Sequence, residues 1–273
     1  MNVFALAQSL RQRFRTAAAP PEKRTEAPPL VADPEKAQGT VSSRRLDAIA
    51  SIIGAQRYLE IGVRKGKTIE AVRIAQRVGV DPEPVFDLTS LPAGVTVVAR
   101  PSDDYFRSLA SEVSFDLVFV DGLHEFRQSY RDVIHALSHL APEGVILVDD
   151  VFPTSAIAAI PDLDAARQAA VAAGGKLRDW MGDVFRTALA LSTLHPELET
   201  RTIIDEEGRG QMVVWRTDPH GGTISRSAEP GSLDALMTHT YESTFGAGVP
   251  PVLRPATLEE ILRSLRERPE GRA

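Results

Sequence analysis

The sequence predicts a doubly wound α/β domain: a mostly parallel sheet with helices on both faces, finished by a C-terminal antiparallel hairpin. Three observations carry this. Between residues 57 and 148, short apolar runs alternate with stretches of helical periodicity, the pattern of strands buried on both faces. Two later apolar runs, 199–204 and 211–215, flank the turn-rich Asp205-Glu206-Glu207-Gly208-Arg209-Gly210, as a hairpin does. The chain has 273 residues, 43% hydrophobic and 25% charged, which is core material for one sizeable domain with additions.

Each element has its own warrant. Leu46, Ile49, Ile52 and Ile53 recur at helical spacing and predict an amphipathic helix. Residues 57–63, with Tyr58, Leu59 and Ile61, read as the first strand, and 67–76 as the helix after it. Residues 78–80 and 95–99 are short strands, with 103–109 helical. Residues 115–120 form an apolar strand apart from Asp116. Over 125–140, Phe126, Tyr130, Val133, Ile134, Leu137 and Leu140 share one helix face, and 145–148 is a buried strand. Helices are expected at 163–173, 184–194 and 258–265, with a polar loop at 219–231.

The expected organisation is a basic N-terminal segment and Pro-rich linker over 1–40, a main domain over 41–218, and a loop-and-helix extension over 219–273 packed on it. Residues 16–40 are rich in Ala, Pro, Glu and Lys and cannot bury enough apolar surface to order themselves. Residues 1–15 pair an apolar side with Arg11, Arg13 and Arg15 and lack the long apolar core of a secretory signal. No apolar run reaches the ~20 residues of a spanning helix, so a cytoplasmic protein is expected. A net charge of −6 gives no positive field for nucleic acid. The absence of cysteine excludes disulfides, thiolate zinc sites and cysteine nucleophiles.

Open parallel sheets bind ligands beyond the carboxyl ends of their strands, so the polar residues there are the ones to read. The first set is Glu60-Ile61-Gly62-Val63-Arg64-Lys65-Gly66. Gly62 permits a tight turn and close approach to a ligand, and Gly66 stands where a helix begins. The third glycine of a pyrophosphate cradle is missing, which counts against a nicotinamide or flavin dinucleotide. A carboxylate beside the turn opposes pyrophosphate and suits a cation. The second set is Gly79-Val80-Asp81-Pro82, whose acid ends the next strand and can accept from two ribose hydroxyls.

With Tyr58-Leu59-Glu60-Ile61-Gly62-Val63, Gly79-Val80-Asp81-Pro82, Ser102-Asp103-Asp104-Tyr105-Phe106 and Phe115 through His124 in this order, the chain resembles the class I S-adenosylmethionine-dependent methyltransferases, most of all methyltransferase domain family 24. Trp180-Met181-Gly182-Asp183-Val184-Phe185-Arg186 is similar to a downstream segment of that group. The resemblance spans about 42–215 and implies a Rossmann-like methyltransferase fold. It implies that Glu60, Gly62 and Gly66 shape the methionine end of the cofactor site, that Asp81 holds the ribose, that Ser102 and Asp103 lie near the adenine, and that Asp121 sits close to the methyl group.

Asp121 ends one strand, and Asp149 and Asp150 end the next. Three carboxylates in one patch repel one another unless a cation joins them. All-oxygen ligands favour Mg2+, Mn2+ or Ca2+, and the pattern resembles the metal site of catechol-type and sugar O-methyltransferases. His124, three residues past Asp121, is a candidate general base. His135 and His139 share a helix edge without a third ligand and read as surface residues, His195 as structural, Trp180 as core or pocket wall, and Asp183 as a helix cap or a substrate-side group.

These readings lead to an enzyme that transfers a methyl group from S-adenosylmethionine to a hydroxyl of a small molecule, sugar or glycan, with help from a divalent cation. The alternatives are a non-catalytic nucleoside-binding module of the same fold and a nicotinamide-dependent oxidoreductase. Residues 151–162 and 219–255 are the expected acceptor loops, and a homo-oligomer is compatible with the sequence.

Overall fold

The computed structural model describes residues 39–204, 210–219 and 228–268. The N-terminal segment, nearly all of the linker, the hairpin turn at 205–209 and most of the polar loop lie outside the described residues. The elements run α1 (Val41–Ile53), β1 (Arg57–Ile61), α2 (Lys67–Ala71), β2 (Gln76–Asp81), β3 (Val95–Ala99), α3 (Ser102–Ser108), β4 (Phe115–Val120), α4 (Phe126–Ser138), β5 (Leu140–Phe152), α5 (Leu163–Ala172), α6 (Phe185–Leu194), β6 (Leu198–Ile203), β7 (Gly210–Arg216), α7 (Pro230–Leu236), α8 (Tyr241–Phe245), a 3-10 turn (Pro251–Leu253), β8 (Pro255–Ala256) and α9 (Leu258–Arg266).

The strands form one sheet in the order β3-β2-β1-β4-β5-β7-β6-β8. The five strands from β3 to β5 are mutually parallel. β7 runs antiparallel between β5 and β6. The chain winds outward from β1 to β3, then returns to lay β4 on the other side of β1. Strand order therefore reverses between β1 and β4, which opens a crevice at their carboxyl ends.

Side chains alternate across each strand and build one core on each face. Ile146, Val148, Met212 and Val214 face a core shared with Phe126, Tyr130, Val133 and Phe185. Val145, Leu147, Val213 and Trp215 face a second core with Leu46, Ile49, Ile261 and Leu265, from α1 and α9. In β4 the alternation breaks at an irregularity between Phe115 and Leu117. This lets Phe115 and Val118 share one core while Leu117 and Phe119 enter the other.

Several boundaries differ from the sequence-based expectation, each for a local reason. α2 stops at Ala71, not 76, because β2 already begins at Gln76, opposite Arg57. The Arg77 guanidinium donates to the carbonyls of Ile69, Glu70 and Val72 and so satisfies the end of that helix. β5 is longer than 145–148 because Leu140 pairs with Phe115 and Phe152 pairs with Gly210. The short helices α7 and α8 lie where only loop was expected; α8 carries a capping box between Thr240 and Ser243. No helix among the described residues is long and apolar enough to cross a membrane.

Candidate active site

Two cavities open at the reversal point. The smaller, about 330 Å³, is lined by the start of α1 (Thr40–Ser42), Glu60, Lys65, Lys67, Thr68 and Asp149. The larger, about 1100 Å³, is lined by Asp81, Ser102, Asp103, His124, Asp132, Asp150 and the stretch 178–181, among others. Gly62, Arg64 and Asp121 line both, so the β1 turn and the end of β4 join the two spaces.

Gly62 is where glycine is required. Its φ is +92°, and a Cβ there would lie 1.9 Å from the Asp121 carbonyl oxygen. The β1 and β4 turns can approach each other only without a side chain. Gly66 also has a positive φ, at the entrance of α2, but packs beneath the Phe86 ring and lines neither cavity.

Glu60 is 2% exposed and accepts a hydrogen bond from the Tyr58 hydroxyl at 2.7 Å. Burial pushes its carboxyl up to about 8; the Tyr58 hydrogen bond opposes the rise and the nearby Asp121 charge adds to it. Asp81, at the end of β2, accepts from the backbone of Arg64 at 2.8 Å through Oδ2 and of Glu83 at 2.7 Å through Oδ1. Those two bonds orient the carboxylate at the cavity wall, and each oxygen keeps a lone pair for a further donor.

The predicted acidic trio is divided. Asp149 and Asp150 are consecutive at the end of β5 and line different cavities. Asp149 lines the small cavity and accepts from Ser42 Oγ at 3.5 Å, in a buried chain that continues through Gln211 to Arg45. Asp150, with φ of 60°, turns into the large cavity. Such a backbone is uncommon for a non-glycine residue and recurs at functional sites.

Asp150 meets His124 and Asp121 instead. His124 Nε2 lies 3.1 Å from Asp150 Oδ2 and 3.6 Å from Asp121 Oδ1. One ligand atom from each of the three falls within 4.8 Å of the others. His124 Nδ1 is 2.9 Å from the Trp180 carbonyl, which can only accept, so Nδ1 carries hydrogen. Nε2 then faces two carboxylates, an arrangement that calls for a proton or a metal ion there. Burial disfavours the imidazolium, but the carboxylates of Asp121 and Asp150 overcome it and raise His124 to about 9. The imidazole also stacks on the Trp180 ring at 4.7 Å.

The 180–183 stretch fixes this histidine from outside its own element. Gly182 lies so close that a Cβ would sit 1.7 Å from the His124 carbonyl oxygen. Asp183 does not cap its own helix. Its side chain accepts from Phe126 N at 2.7 Å while Glu125 accepts from the next two amides, so two carboxylates satisfy the start of α4.

Among the described residues, the other histidines line neither cavity. His139 Nδ1 contacts the Val113 carbonyl, and His135 packs on Phe106. His195 is buried between the Tyr130 hydroxyl and Glu197. Of the expected acceptor loops, 151–162 contributes Thr154 to the large cavity, whereas the described part of 219–255 lines neither; Arg178 to Met181 take that place. Sequence reasoning also missed the start of α1, Gln128 and Asp132 as lining residues, since no local motif marks them.

The reversal of strand order, the antiparallel β7 between β5 and β6, and the acid-bearing turns of β1 and β2 define an α/β domain of the class I methyltransferase fold. Residues 59–151, from β1 to β5, match the family described as a methyltransferase domain, Methyltransf_24. Solved structures similar to the chain include cofactor-bound Rv0187 from MTB, at 23% identity over 78% of this chain and 89% of that one, with a TM-score of 0.48. The O-methyltransferase TomG of Streptomyces achromogenes, involved in tomaymycin synthesis and in complex with SAM, is 17% identical over 79% and 90%, with a TM-score of 0.45. The SAH-bound Podospora anserina methyltransferase PaMTH1 is 18% identical over 79% and 88%, with a TM-score of 0.47. No curated protein sequence matches the chain.

Proposed function

We propose that this chain is an S-adenosylmethionine-dependent methyltransferase acting on a hydroxyl of a small molecule, sugar or glycan, with a divalent ion bound by Asp121, His124 and Asp150. The observation that carries the reading is that Gly62, Asp81, Asp121, His124 and Asp150 all line one cavity. A nucleoside-binding edge and a charged trio thus share one wall.

The residues fit the cofactor. The small cavity sets the acids Glu60, Asp121 and Asp149 against Arg64, Lys65, Lys67 and the start of α1, a distribution suited to an ammonium and a carboxylate on one ligand. Asp81 offers its remaining lone pairs to a ribose. When bound, S-adenosylmethionine supplies a methyl group on a positively charged sulfur. The chain's part is alignment, exclusion of water and removal of the acceptor's proton.

The trio fits a metal with mixed oxygen and nitrogen ligands, for which Mn2+ is as suitable as Mg2+. Such an ion supplies Lewis acidity that lowers the pKa of an acceptor hydroxyl. His124 is assigned to the ion because its Nε2 faces the carboxylates of Asp121 and Asp150. The Trp180 carbonyl holds the tautomer that leaves Nε2 for the metal.

The test is calorimetric titration with S-adenosylmethionine and S-adenosylhomocysteine, with and without Mn2+ or Mg2+, followed by an acceptor screen with labelled methyl donor. Saturable binding weakened by Asp81→Ala is expected. Folded protein that binds neither ligand would favour the non-catalytic module. Methyl transfer indifferent to chelation and to Asp150→Ala would remove the metal.

A further inference from the structure

We propose that Asp132 reads the amino edge of the cofactor's base and makes the site select adenine over a 6-oxopurine. The inference rests on the proposed function and extends it to a residue that no motif marks.

Asp132 is only 1% exposed, yet it lines the large cavity. Its Oδ1 accepts from Ser102 Oγ at 2.6 Å and from Gln128 Nε2 at 3.0 Å. Ser102 has one hydroxyl proton and spends it there; its oxygen accepts in turn from Gln128 at 3.2 Å. The Gln128 amide is oriented by Arg131, which donates to its oxygen, and its nitrogen also contacts Asp103 Oδ1 at 3.3 Å. The donors at this end of the cavity are therefore committed to one another.

Asp132 Oδ2 is the group left over. Among the described residues it accepts no hydrogen bond. It lies beside Gly122, where a Cβ would stand 3.4 Å away, in van der Waals contact. An acceptor without a protein partner on a residue that lines the cavity is free to take an N–H donor from a ligand. Burial raises this carboxyl to about 6, with the bonds from Ser102 and Gln128 working against the rise, so at pH 8 it is an anion.

Its place along the sheet identifies the donor. Asp81 ends β2, and Ser102 follows the end of β3, the next strand outward. A nucleoside whose ribose is held by Asp81 extends its base toward Ser102 and Asp132. The exocyclic amine of adenine donates to Oδ2, whereas hypoxanthine offers a carbonyl oxygen that a carboxylate repels. The structural alternative is that Asp132 only ties α3 to α4 through Ser102.

The experiment is calorimetric titration at pH 8 of the wild-type chain and Asp132→Asn with S-adenosylhomocysteine and S-inosylhomocysteine. Wild type should prefer the adenine ligand by about 10- to 100-fold, because the site is built to pair an amine. Asp132→Asn should shrink or reverse that preference, since its amide nitrogen can face the 6-oxo group. Asp132→Ser serves as a second neutral variant if asparagine impairs folding, and the same loss of preference is expected. Equal wild-type affinity for the two ligands overturns the proposal while leaving the cofactor reading intact. So does a variant that weakens both ligands equally, which is the signature of a structural role. Binding of neither ligand by folded wild type overturns the cofactor reading and this inference with it.

Discussion

Replacing Glu60 by glutamine is expected to stabilise the ligand-free protein and to weaken its hold on the cofactor. Glu60 is 2% exposed, and burial lifts its carboxyl from the usual value near 4.5 to about 8. Between those values the folded state keeps a proton that the unfolded state releases, so stability falls as pH rises. The loss begins near pH 4.5 and is complete just above pH 8, amounting to about 5 kcal/mol. Glutamine has nothing to titrate, and its carbonyl oxygen can still accept from the Tyr58 hydroxyl. Urea unfolding at pH 5, 6.5 and 8 reads the effect. The two proteins should be nearly equal at pH 5, and the variant should gain steadily toward pH 8. Binding should move the other way, because a cationic ligand needs the anion: titration of Glu60→Gln should show affinity lower by about 10- to 100-fold. At pH 7 the wild type should release a proton on binding, visible as an enthalpy that varies with the buffer's ionisation heat, and the variant should not. Parallel pH curves for the two proteins would refute the buried-acid argument, and unchanged affinity would refute the role toward the ligand.

Other substitutions test the site's geometry. Gly62→Ala forces a Cβ to within 1.9 Å of a backbone oxygen at a φ of +92°, and should cost about 3 kcal/mol or more in unfolding and abolish cofactor binding. Asp150→Ala should remove Mn2+ binding measured by titration of the ligand-free protein, while Asp149→Ala, in the small cavity, should leave it nearly unchanged. Asp183→Ala leaves the buried Phe126 amide without its acceptor and should lower stability by about 1–3 kcal/mol in chemical denaturation.

The fold was legible because its signals are local. Most of the parallel strands carry an apolar run that stands out from its flanks, and the hairpin strands flank an obvious turn. What escaped was decided by partners distant in sequence. Val72 and Ile74 look like the continuation of a helix, but both are buried beside β2, whose register with β1 claims the chain from Gln76. The length of β5 depends on Phe115 and Gly210, which no window around 145–148 contains.

The site divides along the same line. Glu60, Gly62 and Asp81 are marked by strand ends and spacing, and the structure sets them around the joined cavities. The sequence groups Asp121, Asp149 and Asp150 because they end neighbouring strands; the structure lines different cavities with Asp149 and Asp150. The positive φ of Asp150 accompanies its approach to His124, while Asp149 accepts from Ser42. His124 is a candidate base by residue type, because a free imidazole titrates near neutrality. What the sequence does not show is Trp180, 56 residues away, whose carbonyl fixes the Nδ1 hydrogen and so aims the other nitrogen at two carboxylates. A short-range reading supplies the residue types of such a centre; which of them converge depends on how the 180–183 stretch packs back onto the β4 turn.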